Sequence, residues 1–193
     1  MTLPTVLIVP GLRDHVAQHW QTLLETRLRA QGRAVASVPP MGRDDLDCAA
    51  RVAAIERVAQ GVAAPLVIVA HSGGCIMVAH WALATRRAVH GALLAAPPDF
   101  ERPMPEGYPT LEQLGAAGWL PVPRQLLPFR SLVGASRNDP LAGYSRVVEL
   151  AQAWGSELID LGEVGHLNPA SGYGEWPQAD ELIARLSAPP ASA

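Results

Sequence analysis

Apolar residues in this chain are concentrated in short runs, some interrupted by a polar residue, separated by longer stretches where they recur at helical spacing. The first run covers residues 5–9 and stops at Pro10 and Gly11. Others cover 34–38, 66–70, 91–95, 129–133 and 157–161, each closed within a few residues by proline or glycine. Runs of this kind predict strands buried on both faces, as in a parallel sheet. Helical spacing predicts helices over 19–30, 46–59, 76–87, 141–154 and 176–186. The first of these carries Trp20, Leu23, Leu24 and Leu28 on one face, and Asp44 and Asp45 are candidate caps for the second. The alternation of strand and helix predicts an α/β chain: a three-layer α/β/α sandwich with a mostly or wholly parallel sheet of about six strands. Ligands in such folds sit beyond the carboxyl ends of the strands.

The interval 97–128 breaks the alternation. It is rich in proline, and only 110–117 reads as helix, with Thr110 and Gln113 as a capping box. A lid and a rigid surface excursion both fit so long a connection. Trp154 is expected in the core, whereas Trp119 and Trp176 fit either core or pocket. The whole reads as one domain over residues 1–187, with a flexible tail over 188–193.

Composition narrows the picture. The chain has 193 residues, 49% of them hydrophobic, enough for one continuous core. A net charge of −3, with arginines scattered rather than clustered, argues against nucleic-acid binding. Cys48 and Cys75 have no metal-site or disulfide spacing. The N-terminus lacks a secretory pattern, and no apolar stretch approaches the length of a membrane span. The expectation is a cytoplasmic protein with no membrane partner.

The candidate chemistry begins where the third run ends, in Ala70-His71-Ser72-Gly73-Gly74-Cys75. A serine among small residues, at a break from strand to helix, has the layout of a nucleophile elbow. Alanine at 70 stands where the usual pattern has glycine. A small-residue turn with no catalytic role has the same composition. A serine hydroxyl needs a base to take its proton, and the base needs a group to orient it. In elbow enzymes the order is serine, acid, histidine. Asp139 follows the fifth run in a polar turn before Pro140, and His166 follows the sixth in a loop containing glycine. Asp139 also fits a helix cap, and Asp99 is the rival acid. Asp160 falls inside a strand, and Glu163 reads as a solvated loop residue. His15, His19, His80 and His90 do not follow a late strand. Cys75 reads as core. Two N–H donors would be needed for an oxyanion, and Gly73 and Leu12 are the candidates. Gly11 lets the chain turn close to the serine; its bland alternative is an ordinary turn glycine. His71 would point the wrong way for a base and reads as structural or as a pocket wall; both are assigned to substrate contact. No phosphate loop, dinucleotide fingerprint or zinc spacing is present, so neither cofactor nor metal is expected.

Several blocks together resemble the small serine hydrolases of the YdeN and retinoblastoma-binding-protein-nine type, within the α/β-hydrolase superfamily. They are Val9-Pro10-Gly11 with His19-Trp20-Gln21, Ala70-His71-Ser72, Ala96-Pro97-Pro98, Leu127-Pro128-Phe129 through Ser136 to Pro140, Gly165-His166-Leu167-Asn168 to Ser171-Gly172, and Trp176-Pro177. The resemblance runs from about residue 3 to residue 186. It implies Ser72, Asp139 and His166 as a triad, on a compact fold without a large cap domain, and it accounts for Ala70. The expected function is esterase-like hydrolysis of a small-molecule acyl substrate through an acyl-enzyme. The alternatives are a binding module on the same scaffold, with no turnover, and a cofactor-free perhydrolase using the same triad.

Overall fold

The computed structural model describes residues 3–13 and 16–188. His15 and most of the expected tail, 189–193, lie outside the described residues. Six strands form one sheet: β1 (Thr5–Val9), β2 (Val35–Ser37), β3 (Leu66–His71), β4 (Val89–Ala95), β5 (Ser131–Ala135) and β6 (Glu157–Asp160). Their order is β2-β1-β3-β4-β5-β6, and every pairing is parallel.

Side chains alternate across this sheet and build two cores. Val6, Ile8, Val67, Val69 and Leu93 face α1 (Trp20–Ala30) and α6 (Gln178–Ser187), meeting Trp20, Leu24, Leu182 and Ile183. Leu7, Val9, Leu66, Ile68 and Leu94 face the opposite layer. That layer contains α2 (Cys48–Gln60), α3 (Gly73–Ala82) and α5 (Tyr144–Trp154), through Ile55, Ile76 and Leu150. The four central strands are almost wholly buried, which is why their sequences are mostly apolar. The edge strands β2 and β6 are partly exposed.

Several helix boundaries differ from the sequence expectation. Helix α2 is capped by Asp47, whose carboxylate accepts from the Ala50 N–H, not by Asp44 or Asp45. The backbone oxygens of Asp45 and Gly42 instead accept from the Arg51 guanidinium, which holds that segment outside the helix. Helix α3 starts at Gly73, not at 76, because the turn out of β3 is completed by Ser72 alone. It ends at Ala82, five residues earlier than the pattern predicted, where Leu83 and Ala84 take tighter bonds to His80 and Trp81. Helix α5 starts at Tyr144, not at 141, because the Leu141 N–H donates to Asp139 and the Leu141 carbonyl accepts from the Asp99 N–H.

The 97–128 excursion holds one short helix, α4 (Leu111–Ala116), with the expected capping box between Thr110 and Gln113. Two indoles fasten this segment to the body. Trp119 Nε1 donates to Leu46 O at 2.7 Å, and Trp154 Nε1 donates to Pro123 O at 2.8 Å. Trp119, Trp154 and Trp176 are all buried in the core. Among the described residues, no helix is long and apolar enough to cross a membrane.

Candidate active site

Chain order reverses between β1 and β3. The connection from β1 runs to one edge of the sheet, and the strands after β3 fill the other. A crevice opens at the carboxyl ends of two such strands, because their loops diverge. Gly11 and Leu12 leave β1 at this point, and Ser72 leaves β3. The loops are pressed together there: a Cβ on Gly11 would lie 3.1 Å from Ser72 Cβ.

Ser72 has φ 54° and ψ −132°, a conformation that L side chains rarely adopt. Holding it there costs about 1–3 kcal/mol, which the surrounding packing must offset. Gly74 allows that packing. A Cβ at this position would stand 2.6 Å from Pro10 O and 2.7 Å from Val9 O, so α3 seats directly on the end of β1. Ala70 is fully buried, paired with Val9 on one side and Leu94 on the other.

Asp139 and His166 reach Ser72 from the loops after β5 and β6. These loops are stitched to each other. Gly165 N–H donates to Asn138 Oδ1 at 2.6 Å, Val164 N–H to Ser136 Oγ at 3.3 Å, and Arg137 N–H to Gly162 O at 2.8 Å. His166 N–H donates to Ser171 Oγ at 3.0 Å, and Asn168 caps the short 3-10 turn at Pro169–Ser171. His166 Nδ1 then lies 2.8 Å and 3.0 Å from the two Asp139 carboxylate oxygens, and Nε2 lies 2.8 Å from Ser72 Oγ. Asp139 Oδ1 also accepts from the Leu141 N–H at 2.8 Å. The side chains of His166 and Asp139 are only 5% and 1% exposed, so this chain of bonds is largely shielded from water.

The rival groups are engaged elsewhere. Asp99 accepts from Arg146 Nε at 3.0 Å and from the Glu101 N–H at 3.1 Å. Asp160 pairs with Arg137, whose hydrogen bonds hold the carboxyl below its ordinary range. His80 bonds to the Trp119 carbonyl. His19 caps α1. Cys75 is buried at the base of α3 with its thiol against Ala95 O, and burial pushes its pKa up. Burial likewise pushes the Cys48 thiol to about 11.

Gly73 is the first residue of α3, so its N–H has no partner within the helix and lies next to Ser72. The Leu12 side chain covers Gly73, with Leu12 Cγ 2.7 Å from where a Cβ would be. Ser72, Gly11, Leu12 and His71 all border a cavity of about 780 Å³. The excursion supplies its far wall through Phe100, Met104 and Tyr108. Arg13 ties the two sides together, donating to Gly107 O at 2.8 Å with its guanidinium 4.0 Å over the Tyr108 ring. Although His71 borders the cavity, its Nε2 is committed to His166 O at 2.9 Å.

Four supporting residues escaped the sequence reading. Ser136, Asn138 and Ser171 hold the histidine loop, and Gln21 donates to both Val9 O and Val69 O at 3.1 Å. All four lie in the blocks that carry the family resemblance, which was the available signal. Apart from Ser171, whose partner is five residues away, their partners are backbone atoms distant in sequence, which no local pattern displays.

A family model described as serine hydrolase matches residues 6–185. Among solved structures, the fold is similar to a protein described as a YdeN-like hydrolase from Pectobacterium atrosepticum. That likeness has 29% identity and a TM-score of 0.79, and covers 95% of this chain and 90% of the other. The YdeN product of B. subtilis matches with 19% identity and a TM-score of 0.71, over 95% of this chain and 98% of that one. Est1E from Butyrivibrio proteoclasticus, solved with ferulic acid bound, shares the fold at 13% identity and a TM-score of 0.68, over 96% and 87% of the two chains. None of the curated proteins matches the sequence significantly.

Proposed function

The chain belongs to the serine hydrolase family, and from that premise we propose that it cleaves small acyl esters with Ser72 as nucleophile, His166 as base and Asp139 as orienting acid. The observation that carries this reading is the unbroken hydrogen-bond chain from Ser72 Oγ through the His166 ring to Asp139, with 2.8 Å at both contacts. An ordinary structural serine does not need a buried imidazole on its hydroxyl with a carboxylate behind it.

In the proposed cycle, Ser72 Oγ attacks the acyl carbonyl while His166 Nε2 takes its proton. Asp139 keeps the Nδ1 proton on the far side of the ring and stabilises the imidazolium that forms. Negative charge develops on the former carbonyl oxygen, which the N–H groups of Gly73 and Leu12 stabilise from the helix start and the β1 loop. Collapse expels the alcohol, which leaves with the proton held by His166, and Ser72 remains acylated. Water enters, gives its proton to His166 and attacks the acyl carbon. The second collapse frees the carboxylic acid and returns the proton to Ser72. Gly11 leaves space for substrate beside the nucleophile. A cavity of about 780 Å³ lies within the ~300–1,000 Å³ range of small-molecule sites. The cycle uses side chains and backbone of this chain alone.

An active-site fluorophosphonate is expected to label the wild-type protein and to leave Ser72→Ala unlabelled. Labelling that survives the substitution places the nucleophile elsewhere. A panel of p-nitrophenyl esters of increasing acyl length is expected to show turnover that depends on Ser72. Silence across that panel, with labelling intact, favours a binding role for the same scaffold.

A further inference from the structure

We infer that His71 is a positioning residue: its ring N–H holds the backbone carbonyl of His166 and thereby fixes the base against Ser72. The inference rests on the roles given above to Ser72 and His166.

His71 is the last residue of β3, a strand bonded on both sides by β1 and β4. It is anchored to the rigid middle of the sheet, one residue before the nucleophile. His166, in contrast, sits in a loop after the edge strand β6. Its neighbours Gly165 and Leu167 have φ of 56° and 48°, so the loop is held in a conformation that Leu167 in particular disfavours. A loop under such strain needs restraint on both sides of the residue it presents. Ser171 Oγ restrains the His166 N–H, and His71 Nε2 restrains the His166 carbonyl at 2.9 Å. One ring therefore ties the base directly to the strand that carries the nucleophile.

The carbonyl can only accept, so His71 must carry its proton on Nε2. Its surroundings also keep it neutral. It is 4% exposed, with the His19 ring centroid at 4.8 Å, the His166 centroid at 5.0 Å and the Trp20 indole edge-on at 5.8 Å. The titratable groups facing it are His19 from the start of α1 and His166, with Asp139 behind it, from the late loops. Burial lowers the His71 pKa well below its ordinary 6.5, and the neighbouring His166 and His19 lower it further. Neutrality suits the role. A proton on His71 would put a positive charge one ring away from the imidazolium that His166 becomes during attack. A neutral donor orients the base without opposing its charge.

The test compares two substitutions. His71→Leu removes the donor, and a shift of the base by a fraction of an ångström is expected to lower kcat by about 10–100-fold while KM changes by less than about twofold. His71→Gln puts an amide N–H at a similar reach, and is expected to recover kcat to within about fivefold of wild type. Ring nitrogen spectra of the wild-type protein at pH 6.5 are expected to show His71 as the neutral Nε2–H tautomer. The inference is overturned by a His71→Leu enzyme with wild-type kcat, by a change confined to KM, or by a folded His71→Gln enzyme no better than the leucine variant. A charged or Nδ1–H His71 in the ring spectra also overturns it. Should His71→Leu fail to fold, the glutamine variant and the wild-type spectra still decide. Turnover that persists in Ser72→Ala refutes the underlying assignment of the nucleophile. An inactive Ser72→Ala alongside His71 variants of wild-type rate refutes the positioning role alone.

Discussion

Asp99 and Asp139 both follow strands at the same edge of the sheet, and both sit in proline-containing turns. Their partners separate them. Asp139 meets the His166 ring, whereas Asp99 is held by Arg146 within a group that also includes Glu101 and Arg124. Asp139→Asn keeps the shape but loses the charge and the correct acceptor, and is expected to lower kcat by roughly 10⁴-fold. Asp99→Asn removes a partner from Arg146. It is expected to lower stability by about 1–3 kcal/mol and to leave kcat within about threefold. Steady-state kinetics and a denaturant titration on both variants check the pair; a reversed pattern makes Asp99 the acid. The candidate triad was legible in the sequence because its chemistry demands particular residue types, each falling just after a strand. The groups that restrain the late loops were not legible as such. Ser136, Asn138 and Ser171 are ordinary loop residues until the fold brings backbone N–H groups to them.

At the scale of elements, α3 shows how a helix delivers one residue. Its start is fixed by the approach of Gly74 to the carbonyls of Val9 and Pro10. Gly74→Ala places a methyl group against backbone that has no rotamer to change. The helix must then move outward, at a cost of about 1–3 kcal/mol or more. Because Ser72 and Gly73 open the same helix, kcat should fall with stability, unlike the outcome of an ordinary core substitution. A lowered denaturant midpoint with kcat preserved means that the turn adapts independently of the helix. Element types were legible because periodicity reports burial, and the four central strands are almost wholly buried. Several element ends were not. Leu141 has the apolar side chain of a helical residue, but its backbone N–H is taken by Asp139 and its carbonyl by Asp99. Side-chain pattern carries no record of such backbone commitments. The capping box at Thr110 and Gln113 was legible because its two bonds are local in sequence.

Over the whole molecule, a parallel sheet between two helical layers was evident from the apolar runs, but its strand order was not. That order decides which loops diverge to make the crevice. The far wall was equally hidden, because the indole anchors of Trp119 and Trp154 reach carbonyls 73 and 31 residues away in sequence. Gln21 shows what the arrangement implies for the crevice itself. Its amide nitrogen bridges the carbonyls of Val9 and Val69, near the ends of the two strands from which Leu12 and Ser72 depart. That single amide spans the two strand tips like a caliper, adding two bonds to the ladder that already pairs Val9 with Ala70. Gln21→Leu keeps the bulk and removes both bonds, and should cost about 1–3 kcal/mol. Should the gap widen, a phosphonate mimic of the tetrahedral state ought to bind more weakly while a ground-state ester analogue binds as before. Equal losses for both ligands would mean that the tips keep their spacing without it. The aperture for the reacting oxygen would thus be gauged by a helix that never touches the oxygen.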